Sequence, residues 1–146
     1  MLALMPVSRT FEASMKKTGT ILLVDDDRTI RRTTADALRQ AGYTVIDASS
    51  GADALKALEA HQGHVDLLLT DVTMQGMDGG ELAEAVTGLH PDVKVLFMSG
   101  YTGGAALHDT VREEGVAFLA KPFVMEVMLR KVRDAIKAAG EGRESR

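Results

Sequence analysis

Five short apolar runs alternate with helix-like segments from Thr20 to near the end of this 146-residue chain. Four of the five runs are nearly continuous in apolar residues, which is typical of strands covered by helices on both faces. The second run is more polar and suits the edge of a sheet. Strands that alternate with helices predict right-handed crossovers and a parallel sheet. We therefore expect a flavodoxin-like doubly wound (βα)5 fold, an α/β fold with the strand order 2-1-3-4-5. The predicted strands are 20–24, 43–48, 65–70, 93–98 and 116–120.

The segments between the strands predict five helices and one domain. Ser50 and Asp53 resemble a capping box at the start of the second helix. The other helices are expected at 28–41, 79–89, 104–114 and 123–138. The length suits a single domain with a sizeable core. We expect a flexible lead or linker at 1–18, the domain at 19–138 and a disordered tail at 139–146.

Composition excludes several function classes. The net charge is −4 and no stretch is strongly basic, which disfavours direct binding of nucleic acid. The chain has no cysteine, which removes disulfides, thiolate catalysis and zinc-thiolate sites. No apolar run approaches the ~18 residues of a spanning helix, and the first residues lack the basic region of a signal peptide. We expect a cytoplasmic protein with no direct membrane contact.

Charged and polar side chains follow four of the five predicted strands. In an open α/β sheet, ligands bind outside the carboxyl ends of the strands. Strands one and three are neighbours in the expected order, so Asp25, Asp26 and Asp71 should converge. The polar residues at the strand ends are Asp25, Asp26, Asp27, Asp71, Ser99 and Lys121, the last followed by Pro122.

Carboxylates packed within a few ångströms repel one another unless a proton or a cation neutralises them. Magnesium is the natural cation for such a site, because it prefers oxygen ligands and binds one or two carboxylates together with phosphate oxygens. The alternative for Asp25, Asp26 and Asp27 is that they cap the following helix, and Asp27 is expected to do so. Lys121 has an alternative too, as a solvated lysine at a strand end.

Four segments of the chain resemble the motifs of response-regulator receiver domains: "ILLVDDD", "LLLTDVTMQGMDGGEL", "VLFMSGYT" and "FLAKPF". The resemblance covers about residues 19–138. It implies that Asp71 accepts a phosphoryl group from a phosphohistidine. It also implies a Mg²⁺ (or Mn²⁺) ion bound directly by Asp26 and supported by Asp25. The backbone carbonyl of Thr73 would complete the coordination, and Lys121 and Ser99 would contact the phosphoryl oxygens.

The resemblance also implies a conformational switch. Ser99 would move toward the phosphoryl group, and the aromatic Phe118 on the fifth strand would fill the space that it leaves. Phe118 could equally be a plain core residue. Tyr101 would shield the acyl phosphate from water, and the family places a cis peptide bond before Pro122.

The loop after Asp71 departs from the family pattern. Gln75 stands where receivers usually have proline, followed by Gly76, which predicts a looser loop with a larger entropy cost of ordering. Met74 and Met77 flank this loop and serve either ordinary packing or an adaptable contact with a partner.

The implied partners are a histidine kinase, a histidine phosphotransfer protein or both, with a homodimer formed on phosphorylation as a further candidate. The chain would not be an enzyme in the usual sense, although it would catalyse its own phosphorylation and dephosphorylation. Stand-alone and hybrid-kinase receivers both remain open. Two other classes compete: a phosphohydrolase of the haloacid dehalogenase type, suggested by the spacing Asp25-x-Asp27-x-Thr29, and a non-phosphorylated interaction module.

Overall fold

The computed structural model of the protein describes residues 19–100 and 117–144, and from residue 138 onward the backbone alone. Its centre is a sheet of five parallel strands in the order β2-β1-β3-β4-β5. This order confirms the predicted doubly wound fold. The strands are β1 (Thr20–Val24), β2 (Thr44–Ala48), β3 (Leu67–Asp71), β4 (Lys94–Ser99) and β5 (Ala117–Ala120).

Four helices flank the sheet in the described part of the chain. They are α1 (Arg28–Gln40), α2 (Gly51–Ala60), α3 (Gly79–Leu89) and α4 (Met125–Glu144). Within the described ranges, no helix has the length and apolarity needed to cross a bilayer. The expected lead at 1–18 and the expected helix at 104–114 lie outside the described residues.

The helices begin where side chains can satisfy their free backbone N–H groups. Asp27 caps α1 and accepts a 3.0 Å hydrogen bond from the Ile30 amide, as predicted. Ser50 caps α2 in the same way. Asp78 and Glu81 form a reciprocal capping box at the start of α3. The capping alternative is therefore correct for Asp27.

Alternate residues of the central strands build two apolar cores on opposite faces of the sheet. One core packs against α1 and α4, and the other packs against α2 and α3. The first contains Ile21, Leu23, Leu67, Leu69, Leu96 and Met98, and the second contains Leu22, Val24 and Leu68. Because both faces are covered, a buried polar cluster can form only at an end of the sheet.

Several element boundaries differ from the predicted ones. β3 and β4 include Asp71 and Ser99 as their last residues, because the ladder continues past the apolar run: Asp71 pairs with Met98, and the Val72 amide donates to the Met98 carbonyl at 2.8 Å. β2, β3 and β4 also begin one or two residues later than predicted, and Val116, the predicted start of β5, lies outside the described residues.

The last helix is also longer than the predicted 123–138. It reaches Glu144, the last described residue, and so includes residues 139–144 of the segment 139–146, for which a disordered tail was expected. Gly140 and Gly142 lie within this part of the helix. Each glycine costs only about 1 kcal/mol relative to alanine in a helix, and the preceding alanines favour the helical conformation.

The first residue of α3 lies directly against the end of β3. The Gly79 amide donates to the Val72 carbonyl at 2.8 Å. A Cβ atom at Gly79 would lie 2.9 Å from the Cα of Val72 and closer still to the carbonyl oxygen of Asp71. Both neighbours are backbone atoms that cannot rotate away. Only glycine therefore lets α3 begin at this distance from the strand that carries Asp71.

We predict that Gly79→Ala lowers the free energy of unfolding by about 1–3 kcal/mol, the usual cost of overpacking. The matched control is Gly88→Ala in the same helix, where an added Cβ meets no atom within 4 Å. That substitution should stabilise the protein by about 0.5–1 kcal/mol. Urea unfolding monitored by circular dichroism measures both changes, and equal effects of the two substitutions would contradict the close approach.

Candidate functional site

Three carboxylates converge at the carboxyl end of the sheet. Val24 and Thr70 pair in the ladder between β1 and β3, so the next residues of the two strands, Asp25 and Asp71, are also adjacent. Asp25, Asp26 and Asp71 each offer an oxygen within 4.8 Å of the others. The structure therefore brings together the residues that the sequence analysis expected to meet.

Asp25 is fully buried, and both of its carboxylate oxygens have protein partners. Oδ1 accepts a 2.9 Å hydrogen bond from the Asp27 amide, and Oδ2 lies 2.9 Å from Lys121 Nζ. Asp26 is exposed instead. The arrangement makes Asp26 and Asp71 the more accessible carboxylates, while Asp25 is held within the protein.

Lys121 bridges two of the carboxylates. Its ammonium lies 2.9 Å from Asp25 Oδ2 and 3.3 Å from Asp71 Oδ2, and its side chain is 15% exposed. Burial alone would lower the pKa of Lys121, but the hydrogen bonds and charges of Asp25 and Asp71 outweigh it, and the pKa is raised above 10.5. Lys121 is therefore a charged part of the cluster and not a solvated lysine.

Asp71 is 8% exposed. Burial is the main cause that raises the pKa of its carboxyl from 3.8 to about 6. The charges of Asp25 and Asp26 raise this pKa further, while Lys121 opposes the change. One ammonium among three carboxylates leaves the cluster with a net negative charge, which favours a divalent cation.

The donor set suits a hard cation. Carboxylate oxygens are the ligands that Mg²⁺ prefers, and the three aspartates lie close enough for a shared ion. Thr73 is exposed and lies two residues after Asp71 on the same loop. Its carbonyl remains a predicted ligand.

Ser99 ends β4 at the same edge of the sheet and is 4% exposed. Its hydroxyl donates to the Gly100 carbonyl at 3.0 Å, and its own carbonyl accepts from the Lys121 amide at 2.8 Å. The second bond ties the two predicted phosphoryl-binding residues to each other through the backbone.

The predicted switch residues are only partly described. Phe118 pairs with Phe97 in the ladder and packs, partly buried, against the cluster of Val72 and Phe97. This environment agrees with a core role and leaves the switch role a prediction. Tyr101 lies outside the described residues.

The loop after Asp71 is anchored by its methionines. Met74 is buried in the core beneath α2 and α3, and Met77 packs over Gly51, where an added Cβ would lie 2.8 Å from Met77 Sδ. Both methionines therefore serve packing. Gln75 is exposed, and Gly76 has a left-handed φ of 78° that suits glycine. The expected looseness at Gln75 remains a prediction.

The Lys121–Pro122 peptide bond is cis, as the resemblance implied.

Two contacts of the site were not found from the sequence. The Thr70 hydroxyl donates to the Asp71 carbonyl at 3.0 Å, and Arg31 Nη1 donates to the Asp25 carbonyl at 2.8 Å. Neither residue has a sequence signal, because a threonine in a strand and an arginine on a helix are usually explained by the fold alone.

Comparison with known proteins agrees with this fold. The family model described as the response regulator receiver domain matches residues 21–133. The chain therefore belongs to the response-regulator receiver domain family.

Curated relatives show two different contexts for such a domain. The chain is 36% identical over 119 residues to the response regulator receiver protein CpdR of Brucella abortus, covering 82% of this chain and 98% of CpdR. It is also 36% identical over 119 residues to the sensor kinase CckA of Brucella abortus, covering 82% of this chain but only 13% of CckA. The chain thus spans nearly all of one relative and a small part of the other.

Solved structures give the same fold. A CheY-like response regulator receiver domain protein from Methanospirillum hungatei aligns with a TM-score of 0.77 at 27% identity, covering 86% of this chain and 99% of that one. An uncharacterised protein from Neptuniibacter caesariensis aligns with a TM-score of 0.77 at 30% identity, covering 86% and 93%.

The raised pKa of Asp71 predicts a pH-dependent stability in the presence of EDTA. Because the folded-state pKa is about 6 and the ordinary value is 3.8, folding favours the protonated carboxyl. This contribution is fully present below pH 3.8 and is lost as the pH rises through about 6.

Asp71→Asn, whose amide mimics the protonated acid, should therefore be more stable than the wild type near neutral pH. The expected gap is about 1–3 kcal/mol, since one pKa unit corresponds to about 1.4 kcal/mol. The gap should close toward acid pH and shrink when Mg²⁺ is added. Urea unfolding across the pH range measures it, and a gap that does not vary with pH would contradict the assignment.

Proposed function

We propose that this chain is a phosphoacceptor receiver domain of two-component signalling in which Asp71 accepts the phosphoryl group. The proposal rests on one observation, the cluster of three carboxylates and a lysine at the carboxyl end of the sheet. Asp25, Asp26 and Asp71 offer oxygens within 4.8 Å of one another, and Lys121 Nζ lies 3.3 Å from Asp71 Oδ2. Phosphoryl transfer depends mainly on positioning and charge neutralisation, which are the two properties of this cluster.

Mg²⁺ is the proposed cofactor, with Mn²⁺ as a substitute that accepts the same oxygen ligands. Asp26, Asp71 and the Thr73 carbonyl would hold the ion, with Asp25 in support because its own oxygens are already engaged by Asp27 and Lys121. The ion would supply charge neutralisation for the incoming phosphoryl oxygens.

The donor is a phosphohistidine on a histidine kinase or a histidine phosphotransfer protein. An Asp71 carboxylate oxygen attacks the phosphorus as the phosphorus–nitrogen bond breaks, and the imidazole nitrogen keeps the electron pair of that bond. The product is an acyl phosphate on Asp71 and a free histidine on the donor. The chain thus catalyses its own phosphorylation, and hydrolysis of the acyl phosphate resets it.

Two further side chains would bind the phosphoryl group. Lys121 lies beside Asp71 as a buried ammonium and can pair with one phosphoryl oxygen. The Ser99 hydroxyl, which donates to the Gly100 carbonyl at 3.0 Å, can exchange this bond for one to another phosphoryl oxygen. Movement of Ser99 would be transmitted to Phe118 and Tyr101 and would change partner binding, including homodimer formation.

We propose residues 19–138 as the receiver unit, acting in the cytoplasm without direct contact with nucleic acid or membrane. Its relatives include a receiver protein of which it covers 98% and a sensor kinase of which it covers 13%. Both the stand-alone and the hybrid-kinase contexts are therefore compatible with this chemistry.

The haloacid dehalogenase alternative requires Asp25 to be the nucleophile and Asp27 to be its acid–base partner. In the structure, Asp25 is fully buried and hydrogen-bonded through both oxygens, while Asp27 accepts from the Ile30 amide as a helix cap. These contacts disfavour that chemistry.

We predict that the protein gains one phosphoryl group when it is incubated with Mg²⁺ and acetyl phosphate, as measured by intact mass. The group should be stable in acid, labile in alkali and suppressed by EDTA, because an acyl phosphate forms only with the cation. Asp71→Asn should abolish it. The matched control is Asp92→Asn, an exposed aspartate outside the cluster, which should leave the uptake unchanged.

The rival functions give different results. A dehalogenase-type enzyme would hydrolyse small phosphate esters and lose this activity in Asp25→Asn. An interaction module would gain no phosphate under any condition, which would refute the proposed function.

A further inference from the structure

Arg31 connects the loop that carries Asp25 and Asp26 to β2, the edge strand of the sheet. It lies in the first turns of α1, and its side chain is 17% exposed. Nη1 donates to the Asp25 carbonyl at 2.8 Å, and Nε donates to Asp47 Oδ2 on β2 at 3.3 Å. One guanidinium thus holds the backbone between the two acidic residues and is itself held by a neighbouring strand.

The anchor on β2 is reinforced by a second arginine. Arg39 Nη2 lies 3.5 Å from Asp47 Oδ1 and donates to the Val45 carbonyl at 3.0 Å. Asp47 therefore has a cation on each carboxylate oxygen. Since a guanidinium presents several donors in one rigid plane, the position of Arg31 is restricted on both sides.

The carbonyl that Arg31 holds belongs to the peptide unit between Asp25 and Asp26. This unit is planar, so fixing its oxygen also fixes the amide nitrogen of Asp26. The orientation of this plane sets the direction in which the Asp26 side chain leaves the backbone. Asp26 is exposed, and no hydrogen bond of its side chain is seen in the described residues that would orient it instead.

We propose that Arg31 is a positioning residue for the divalent-cation site, acting on Asp26 through the Asp25 carbonyl; this inference rests on the proposed function. The alternative is that Arg31 only stabilises the fold. The charge of Arg31 has the opposite effect on Mg²⁺ affinity, because a guanidinium near the site repels a divalent cation. Considered by charge alone, removal of Arg31 would therefore tighten Mg²⁺ binding.

The experiment measures Mg²⁺ binding to the unphosphorylated protein by isothermal titration calorimetry, without any phosphodonor. Arg31→Met keeps the apolar stem but removes the donors, and we expect it to weaken Mg²⁺ binding by about tenfold, the scale of lost outer-shell contacts. Arg31→Lys keeps the charge but replaces the planar guanidinium with a compact ammonium on one nitrogen, and we expect an intermediate loss. The control is Arg32→Ala, an exposed neighbour on the same helix, which should change the affinity by less than about twofold.

Urea unfolding in EDTA separates positioning from stability. A purely structural role would lower stability in Arg31→Met and leave the Mg²⁺ dissociation constant of the folded protein unchanged. Unchanged or tighter Mg²⁺ binding in Arg31→Met would overturn the inference, as would Arg31→Lys with wild-type affinity. If Arg31→Met does not fold, Arg31→Lys decides the question at constant charge.

Failure of the proposed function has a different signature. Wild-type protein that gains no phosphoryl group from acetyl phosphate would overturn the proposed function whatever the Arg31 variants do. Wild-type protein that is phosphorylated on Asp71, together with Arg31 variants of unchanged Mg²⁺ affinity, would overturn the positioning role alone.

Discussion

Repulsion among three carboxylates at one end of the sheet is the constraint on which the site depends. Asp25, Asp26 and Asp71 are brought within 4.8 Å by the pairing of β1 with β3, and Lys121 neutralises only part of their charge. Burial adds a second cost, because it is the main cause that raises the pKa of Asp71 to about 6. Because the cluster carries excess negative charge, binding of a cation, alone or together with a ligand, relieves the repulsion. The chemistry of the site follows from that property.

The surrounding fold keeps the cluster from relaxing. Two apolar cores cover both faces of the sheet, so the strand ends cannot move apart without loss of packing. Gly79 lets α3 begin in contact with the end of β3. The Met77 side chain packs the loop between β3 and α3 against Gly51 of α2. Arg31 holds the other acidic loop from the side of β2. The repulsion is therefore retained in the folded protein instead of being relieved by movement of the loops.

The fold and the composition of the site could be predicted from the sequence because both follow from short-range patterns. Alternating apolar runs and helical segments imply the parallel sheet, and the strand order then places Asp25 next to Asp71. Boundaries were less accurate: Asp71 and Ser99 belong to their strands, and α4 continues to Glu144, because ladder hydrogen bonds and helix propagation do not stop at the last apolar residue. The contacts of Arg31, Thr70 and Gly79 were not predictable, since each depends on how closely two distant segments approach.

The sequence by itself determined which side chains stand at the strand ends and which ligand atoms they offer, because residue type and order are enough to specify charge and donor chemistry. Only the tertiary structure decided the burial and the hydrogen-bond partners of each of these side chains. It buries Asp25 against Lys121, leaves Asp26 exposed and turns Asp27 into a helix cap, although the three are consecutive in the chain. The physical reason is that burial and hydrogen-bond geometry depend on distances across the sheet, which adjacency in sequence does not encode.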